Sequence, residues 1–192
     1  MIKFLVGICI VFISHAGARL SQNSKTDNMT SFPADSLPTR FGFGNLASED
    51  RIRQWDIDVR ADGKGLPAGQ GTVTHGKEIY QVKCAACHGI TGKEGPNDKL
   101  VHDPTKNARA KTIGNYWPYA TTIYDYIQRA MPFNQPGSLS PDEVYSLTAY
   151  LLYENKIIDA TAIINDKNLA DIQMPARQLF VPDDRTEGPE IR

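Results

Sequence analysis

The chain has 192 residues, 41% of them hydrophobic and 22% charged, and 21 Lys and Arg against 22 Asp and Glu leave a formal net charge of -1. That suits one modest domain with extensions, and no block of basic residues offers a footprint for nucleic acid. Three cysteines are too few for a disulfide framework, and repeats and low-complexity tracts are absent.

Residues 1–18 read as a signal peptide. Met1-Ile2-Lys3 is a short basic start, Phe4 to Ile13 an apolar run, and Ala16-Gly17-Ala18 a small-x-small cleavage site. The apolar run is too short to span a hydrocarbon core, which disfavours an uncleaved anchor. Cys9 lies inside it without a preceding small residue, which argues against a lipid-anchored form. The expectation is an exported, periplasmic protein with no integral membrane span after cleavage and with Cys84 and Cys87 as its only cysteines. Residues 19–71 form a linker and N-terminal extension. Within them, 19–45 are rich in Ser, Asn and Thr and read as flexible, whereas Ser48 to Trp55 predicts a short capped helix. Asp58, Arg60, Asp62 and Gly63 resemble a calcium loop in outline only, because an arginine stands at a ligand position and the terminal glutamate is missing.

Three further helices give an all-α domain over residues 72–154. The first follows Thr74 as N-cap and carries Gly76, Ile79, Tyr80, Cys84 and Cys87 on one face. The second starts near Thr121 or Thr122, with Thr122 and Asp125 at capping-box spacing and an apolar stripe of Ile123, Tyr126, Ile127 and Ala130, and it ends at Met131-Pro132. The third opens with Ser140-Pro141-Asp142-Glu143, which joins an N-cap serine, a first-turn proline and a capping-box glutamate, and its stripe is Val144, Leu147, Leu151 and Leu152.

Residues 84–88 read Cys-Ala-Ala-Cys-His, the spacing of a c-type haem attachment site. Each thiol can add across one vinyl group, and the histidine that follows can supply an axial imidazole. A zinc site would need four ligands where three are local. A thioredoxin-like dithiol would sit beside a βαβ pattern, and the chain offers no alternating strands around Cys84. Haem c, one copy and covalently attached through Cys84 and Cys87, is therefore the expected cofactor, with His88 as its first iron ligand.

These residues resemble the class I c-type cytochromes. In that family a glycine and an aromatic on the first helix cross a leucine and an aromatic on the last, positions matched here by Gly76, Tyr80, Leu147 and Tyr150. The resemblance implies a class I cytochrome c fold, three main helices around one haem. It also implies a methionine ligand ahead of the last helix, where Met131 stands, held by Pro132. Met174-Pro175 repeats the dipeptide but lies in the tail; His102 offers a bis-histidine alternative, although it and His75, which lies close to the first helix start, are expected to face solvent. Gly95-Pro96-Asn97 resembles the turn whose proline carbonyl accepts the ligand imidazole N–H, although a plain surface turn is the other reading. Trp117 can donate its indole N–H to a haem propionate or simply pack with Tyr116 and Tyr119. Arg129 can pair with a propionate or stand exposed on its helix.

The strings Trp55-Asp56-Ile57-Asp58-Val59-Arg60, Ile113-Gly114-Asn115-Tyr116-Trp117-Pro118-Tyr119 and Arg129-Ala130-Met131-Pro132 narrow the resemblance. With Met174-Pro175-Ala176-Arg177 they look like the cytochrome subunits that accompany molybdenum sulfite or sulfane dehydrogenases in sulfur oxidation, over roughly residues 50 to 182. This chain departs in carrying a single haem motif. The implied function is one-electron transfer from such a dehydrogenase to a downstream oxidase or cytochrome, without catalysis by the cytochrome itself. The other reading is a haem enzyme or gas-binding sensor whose iron keeps an open position. The C-terminal extension, 155–192, either wraps the haem domain or clasps a partner, since Ile157, Ile158, Ile163, Ile164 and Leu169 need cover.

Overall fold

Ser48 opens the first helix as its residue type predicts. Its hydroxyl accepts the Arg51 amide at 3.2 Å, and α1 runs over Glu49–Trp55 with every side chain exposed. The computed structural model describes residues 41–106 and 109–181; the signal peptide, Cys9, the linker up to residue 40 and the tail from Pro182 lie outside the described residues. The chain divides into two compact units, Met1–Asn45 and Leu46–Arg192. Of the first, only residues 41–45 are described, and they form no regular element. The second holds the domain, which is mostly helical.

Strand β1 (Gln70–Thr72) leads directly into α2 (Val73–Lys83). The cap is Thr72, not Thr74 as the sequence predicts. The extended backbone that ends the strand is already the conformation an N-cap needs, and the Thr72 hydroxyl accepts the His75 amide at 3.3 Å. Nor does α2 continue through the cysteines. Cys84 leaves helical geometry (φ -120°, ψ -35°), and a one-turn helix α3 (Ala85–His88) restarts on its carbonyl, which accepts from Cys87 and His88 at 3.1 and 3.0 Å.

Helix α4 (Ala120–Ala130) begins after Tyr119 with no side-chain cap, so the predicted Thr122–Asp125 box is not made. Asp125 is buried instead. Its Oδ1 accepts the Val59 amide at 2.9 Å and Arg129 Nε at 2.8 Å, which fastens the N-terminal extension to α4. The buried stripe is Ile123, Tyr124 and Ile127, whereas Tyr126 is 46% exposed. Helix α5 (Pro141–Glu154) has the predicted capping box in full, with the Ser140 amide donating to Glu143 Oε2 at 2.8 Å and the Ser140 hydroxyl accepting from the Glu143 amide. Every residue from Val144 to Leu152 is buried, so α5 is the axis of the core.

Gly76 lets α2 lie against α5. A Cβ there would stand 1.9 Å from the Ser146 carbonyl oxygen, so only the absence of a side chain permits the crossing. Tyr80 and Tyr150 pack beside it with ring centroids 5.1 Å apart, as the pairing of glycine and aromatic on the two helices predicts. The all-α expectation needs one addition, a short antiparallel ribbon in which β1 pairs with β2 (Ile163–Asn165), Gly71 opposite Ile164. Beyond it, two 3₁₀ turns (Leu169–Asp171 and Pro175–Leu179) bring Leu169, Met174 and Ala176 into the core, while Ile163 stays half exposed.

Candidate functional site

Between α2, α3, α4 and α5 lies a cavity of about 690 Å³. Tyr80, Ile123, Ile127, Leu147 and Leu151 give it an apolar interior, and the same lining contains Cys84, Cys87, His88, Trp117 and Met131. The break at Cys84 places the two thiols and the imidazole within one short turn. Burial pushes the Cys84 thiol up to about 11, whereas Cys87 is exposed. Burial likewise raises the Tyr80 hydroxyl, which donates to the Gly89 carbonyl at 2.9 Å and so holds the chain just past His88.

His88 is half-buried, and its Nδ1 lies 2.8 Å from the Asp98 carbonyl. A carbonyl only accepts, so Nδ1 carries a proton, and in the neutral ring that leaves the lone pair on Nε2. The Pro96 carbonyl does not fill this role. The Asn97 amide donates to the Cys87 carbonyl at 3.0 Å and the Gly95 amide to the His88 carbonyl at 3.3 Å; that closure leaves Pro96 exposed, lining a smaller neighbouring hollow, and brings Asp98 back to the ring.

Met131 closes α4, its amide donating to the Ile127 carbonyl at 3.1 Å, and a cis peptide joins it to Pro132. It is half-buried and lines the cavity, whereas Met174 is 4% exposed in the core and does not. Trp117 also lines the cavity, edge-on to Tyr126 at 5.8 Å. Arg129 is not part of the lining. Its guanidinium is taken by Asp125 one turn earlier, through Nε and Nη2. The cations that do line the cavity are Lys83, Lys99 and Lys111. Lys83 pairs with Glu143 at 3.0 Å and Lys99 donates to the Gly95 carbonyl, while the Lys111 ammonium lies 4.3 Å over the Tyr116 ring.

Neither other described histidine reaches the cavity lining. His75 is exposed, with Nδ1 3.3 Å from the Ser146 hydroxyl. His102 is half-buried rather than solvent-facing, because the Asn115 side-chain amide holds its Nδ1 at 3.1 Å. Two contributors left little trace in the sequence. Asp98 acts through its backbone, which no side-chain pattern reports. Asn155 donates to the Leu100 and Leu151 carbonyls at 3.1 and 2.9 Å and accepts the His102 amide at 3.0 Å, tying the loop wall of the cavity to α5.

Two thiols, an oriented imidazole and a thioether share one largely apolar hollow, a donor set that fits a flat macrocycle tethered by two bonds and carrying a metal that accepts nitrogen and soft sulfur. Such a hollow in a small helical domain marks a c-type cytochrome. A family model described as cytochrome C oxidase, cbb3-type, subunit III matches residues 71–151. Among solved structures, a chain in the crystal structure of the sulfane dehydrogenase SoxCD from Paracoccus pantotrophus is 34% identical, with a TM-score of 0.67 over 78% of this chain and 80% of that one. Among curated proteins, the thiosulfate dehydrogenase of Psychrobacter arcticus is 31% identical over 88 residues, 45% of this chain and 27% of the relative. That of Allochromatium vinosum is 28% identical over 80 residues, 41% and 30% of the two. The chain thus spans less than a third of the length of these curated relatives. The chain belongs to the cytochrome c family, in the branch that includes the matched chain of SoxCD, and membership implies haem c as its cofactor.

Proposed function

We propose that this chain is a periplasmic monohaem cytochrome that carries single electrons from a molybdenum sulfite or sulfane dehydrogenase subunit to a downstream oxidase or cytochrome. The observation that carries the reading is the shared lining, one cavity bringing together Cys84, Cys87, His88 and Met131. A haem c bound there supplies a reversible one-electron iron couple. Cys84 and Cys87 provide the two thioether attachments. His88 would offer Nε2 to the iron, its tautomer set by the Asp98 carbonyl, and Met131 would offer its thioether. A soft thioether paired with an imidazole would favour the reduced metal and raise the potential relative to two imidazoles. An imidazole and a thioether both supplied by the chain would hold the iron for relay rather than turnover of a sulfur or oxygen substrate. Lys111 offers an ammonium toward a propionate, and Trp117 an indole wall. The partner assignment is supported by the identity and coverage shared with the SoxCD chain, and export by the leader at residues 1–18.

The test is the visible spectrum and carbon monoxide binding of the haem-matured protein, wild type and Met131→Ala, in both oxidation states. Wild type is expected to show the long-wavelength charge-transfer band of iron–methionine ligation and to resist carbon monoxide, and Met131→Ala to lose the band and bind the gas. Carbon monoxide binding by the wild type would replace the relay with an open-iron enzyme or sensor.

A further inference from the structure

The loop after the haem motif reads Gly89-Ile90-Thr91-Gly92-Lys93-Glu94-Gly95-Pro96-Asn97-Asp98 and returns to His88 within ten residues. Its turns need glycine. Gly89 and Gly92 take φ of +83° and +75°, and a Cβ on Gly95 would stand 2.3 Å from the Cys87 carbonyl oxygen. Such a loop is entropically costly to hold in one shape; its backbone is tied at Gly92, whose carbonyl accepts the Leu100 and Val101 amides at 2.9 and 3.1 Å, and at Gly95 and Asn97, whose amides donate to the His88 and Cys87 carbonyls.

Glu94 adds a side-chain restraint on both residues that flank Gly92. It sits on the solvent side, yet its carboxylate turns back into its own loop. Oε1 accepts the Thr91 amide at 3.0 Å, and Oε2 accepts the Lys93 amide at 3.0 Å and the Thr91 hydroxyl. The Thr91 hydroxyl and amide, with the Lys93 amide, hold its carboxyl down to about 2, so it stays ionised throughout the neutral range. Its stem packs on the residue that follows the motif histidine, for a Cβ on Gly89 would lie 2.8 Å from Glu94 Cγ and Cδ. Gly89 is therefore pinned from within by the Tyr80 hydroxyl and from without by Glu94.

Resting on the reading of His88 as an iron ligand, we propose that Glu94 is a positioning residue for it, clipping the Gly89–Asp98 loop so that the Asp98 carbonyl stays aimed at Nδ1. The hydrogen bond from Nδ1 to the Asp98 carbonyl fixes the ring and strengthens the imidazole as a donor. Losing the clip weakens that bond, which exposes the Nδ1 proton to solvent and destabilises the oxidised metal, so the midpoint potential rises. Removing the glutamate charge also raises the potential through space, an effect that salt screens. The hydrogen bond and the charge are separated by Thr91→Val, which removes one partner of the clip with no change of charge.

The experiment uses the full haem-matured chain. Solvent exchange of the His88 Nδ1 proton is followed by NMR, and the midpoint potential is measured at low and high salt, in wild type, Glu94→Ala, Glu94→Gln, Thr91→Val and Lys93→Gln. The expected result is exchange faster by about tenfold in Glu94→Ala, the factor that loss of about one hydrogen bond gives, a smaller acceleration in Glu94→Gln and Thr91→Val, and a raised potential that persists at high salt in all three. Lys93→Gln is expected to leave exchange at the wild-type rate. Wild-type exchange in Glu94→Gln and Thr91→Val, with any change of potential abolished by salt, would overturn the proposal even if Glu94→Ala fails to mature. Absence of an iron-shifted His88 ring proton in the wild type would overturn the ligand reading itself, before any substitution is made.

Discussion

Replacing Gly76 by alanine tests whether the α2–α5 crossing is as tight as its geometry states. In an exposed helix the change is favourable by about 1 kcal/mol, because alanine has the higher helix propensity. Here the new Cβ would lie 1.9 Å from the Ser146 carbonyl oxygen, 2.5 Å from its carbon and 2.8 Å from Tyr150 Cβ, whereas ordinary contact begins at 3.4 Å. The deficit is about 1.5 Å against backbone, which cannot rotate aside. Helix α5 must move away from α2, and Tyr80 must part from Tyr150 across their 5.1 Å contact. Overpacking of this kind costs about 3 kcal/mol and occasionally more. After the propensity gain, a net loss of about 2–3 kcal/mol remains, which lowers the folded-to-unfolded ratio by roughly a hundredfold. The assay is guanidinium unfolding of the haem-matured protein, with Thr74→Ala on the exposed side of α2 as the control for propensity. A Gly76→Ala midpoint equal to or above wild type would refute the crossing geometry.

Asp125→Asn is expected to cost about 1–2 kcal/mol at pH 7, the figure being discounted because Arg129 is nearly half exposed. Burial pushes the Asp125 carboxyl up, but the Arg129 guanidinium and the Val59 amide outweigh it and hold the carboxyl below the ordinary range. A native value below the unfolded one, near 3.9, means that the stabilisation is complete above that pH and is lost as pH falls through the native value. Urea unfolding of both proteins at pH 7 and pH 3 should therefore show a gap that narrows in acid; an equal gap at both would refute the ion pair as its source. Leu169→Ala removes a fully buried side chain that reaches the core from the C-terminal segment, and a loss of about 3 kcal/mol in the same assay is expected. A loss under about 1 kcal/mol would show that this segment merely rests on the domain.

How far the sequence could be read depended on whether a signal was carried by one local stretch of chain. Ser140-Pro141-Asp142-Glu143 announces its helix start because all partners of the capping box lie within one turn, and the structure forms the box as written. Thr122–Asp125 has the same spacing and fails, because Asp125 is claimed by Val59 from far along the chain and by Arg129. Arg129 does not line the cavity because Asp125, one helical turn earlier, takes its guanidinium, and the Val59 contact that buries Asp125 is the part helix periodicity alone cannot supply. Cys84, Cys87 and His88 were legible as a motif, but the break in the helix at Cys84 was not, since it arises from a restart on the Cys84 carbonyl rather than from any helix-breaking residue. Pro96 marked the right turn and the wrong acceptor: a carbonyl has no side-chain signature, and only loop closure through Gly95 and Asn97 decides which one meets the ring. The motif, in short, names the atoms that can touch a metal, while the backbone around it decides how firmly they are held. In this chain that backbone is a glycine-rich loop, and its firmness rests on side chains such as Tyr80 and Glu94 that never touch the imidazole.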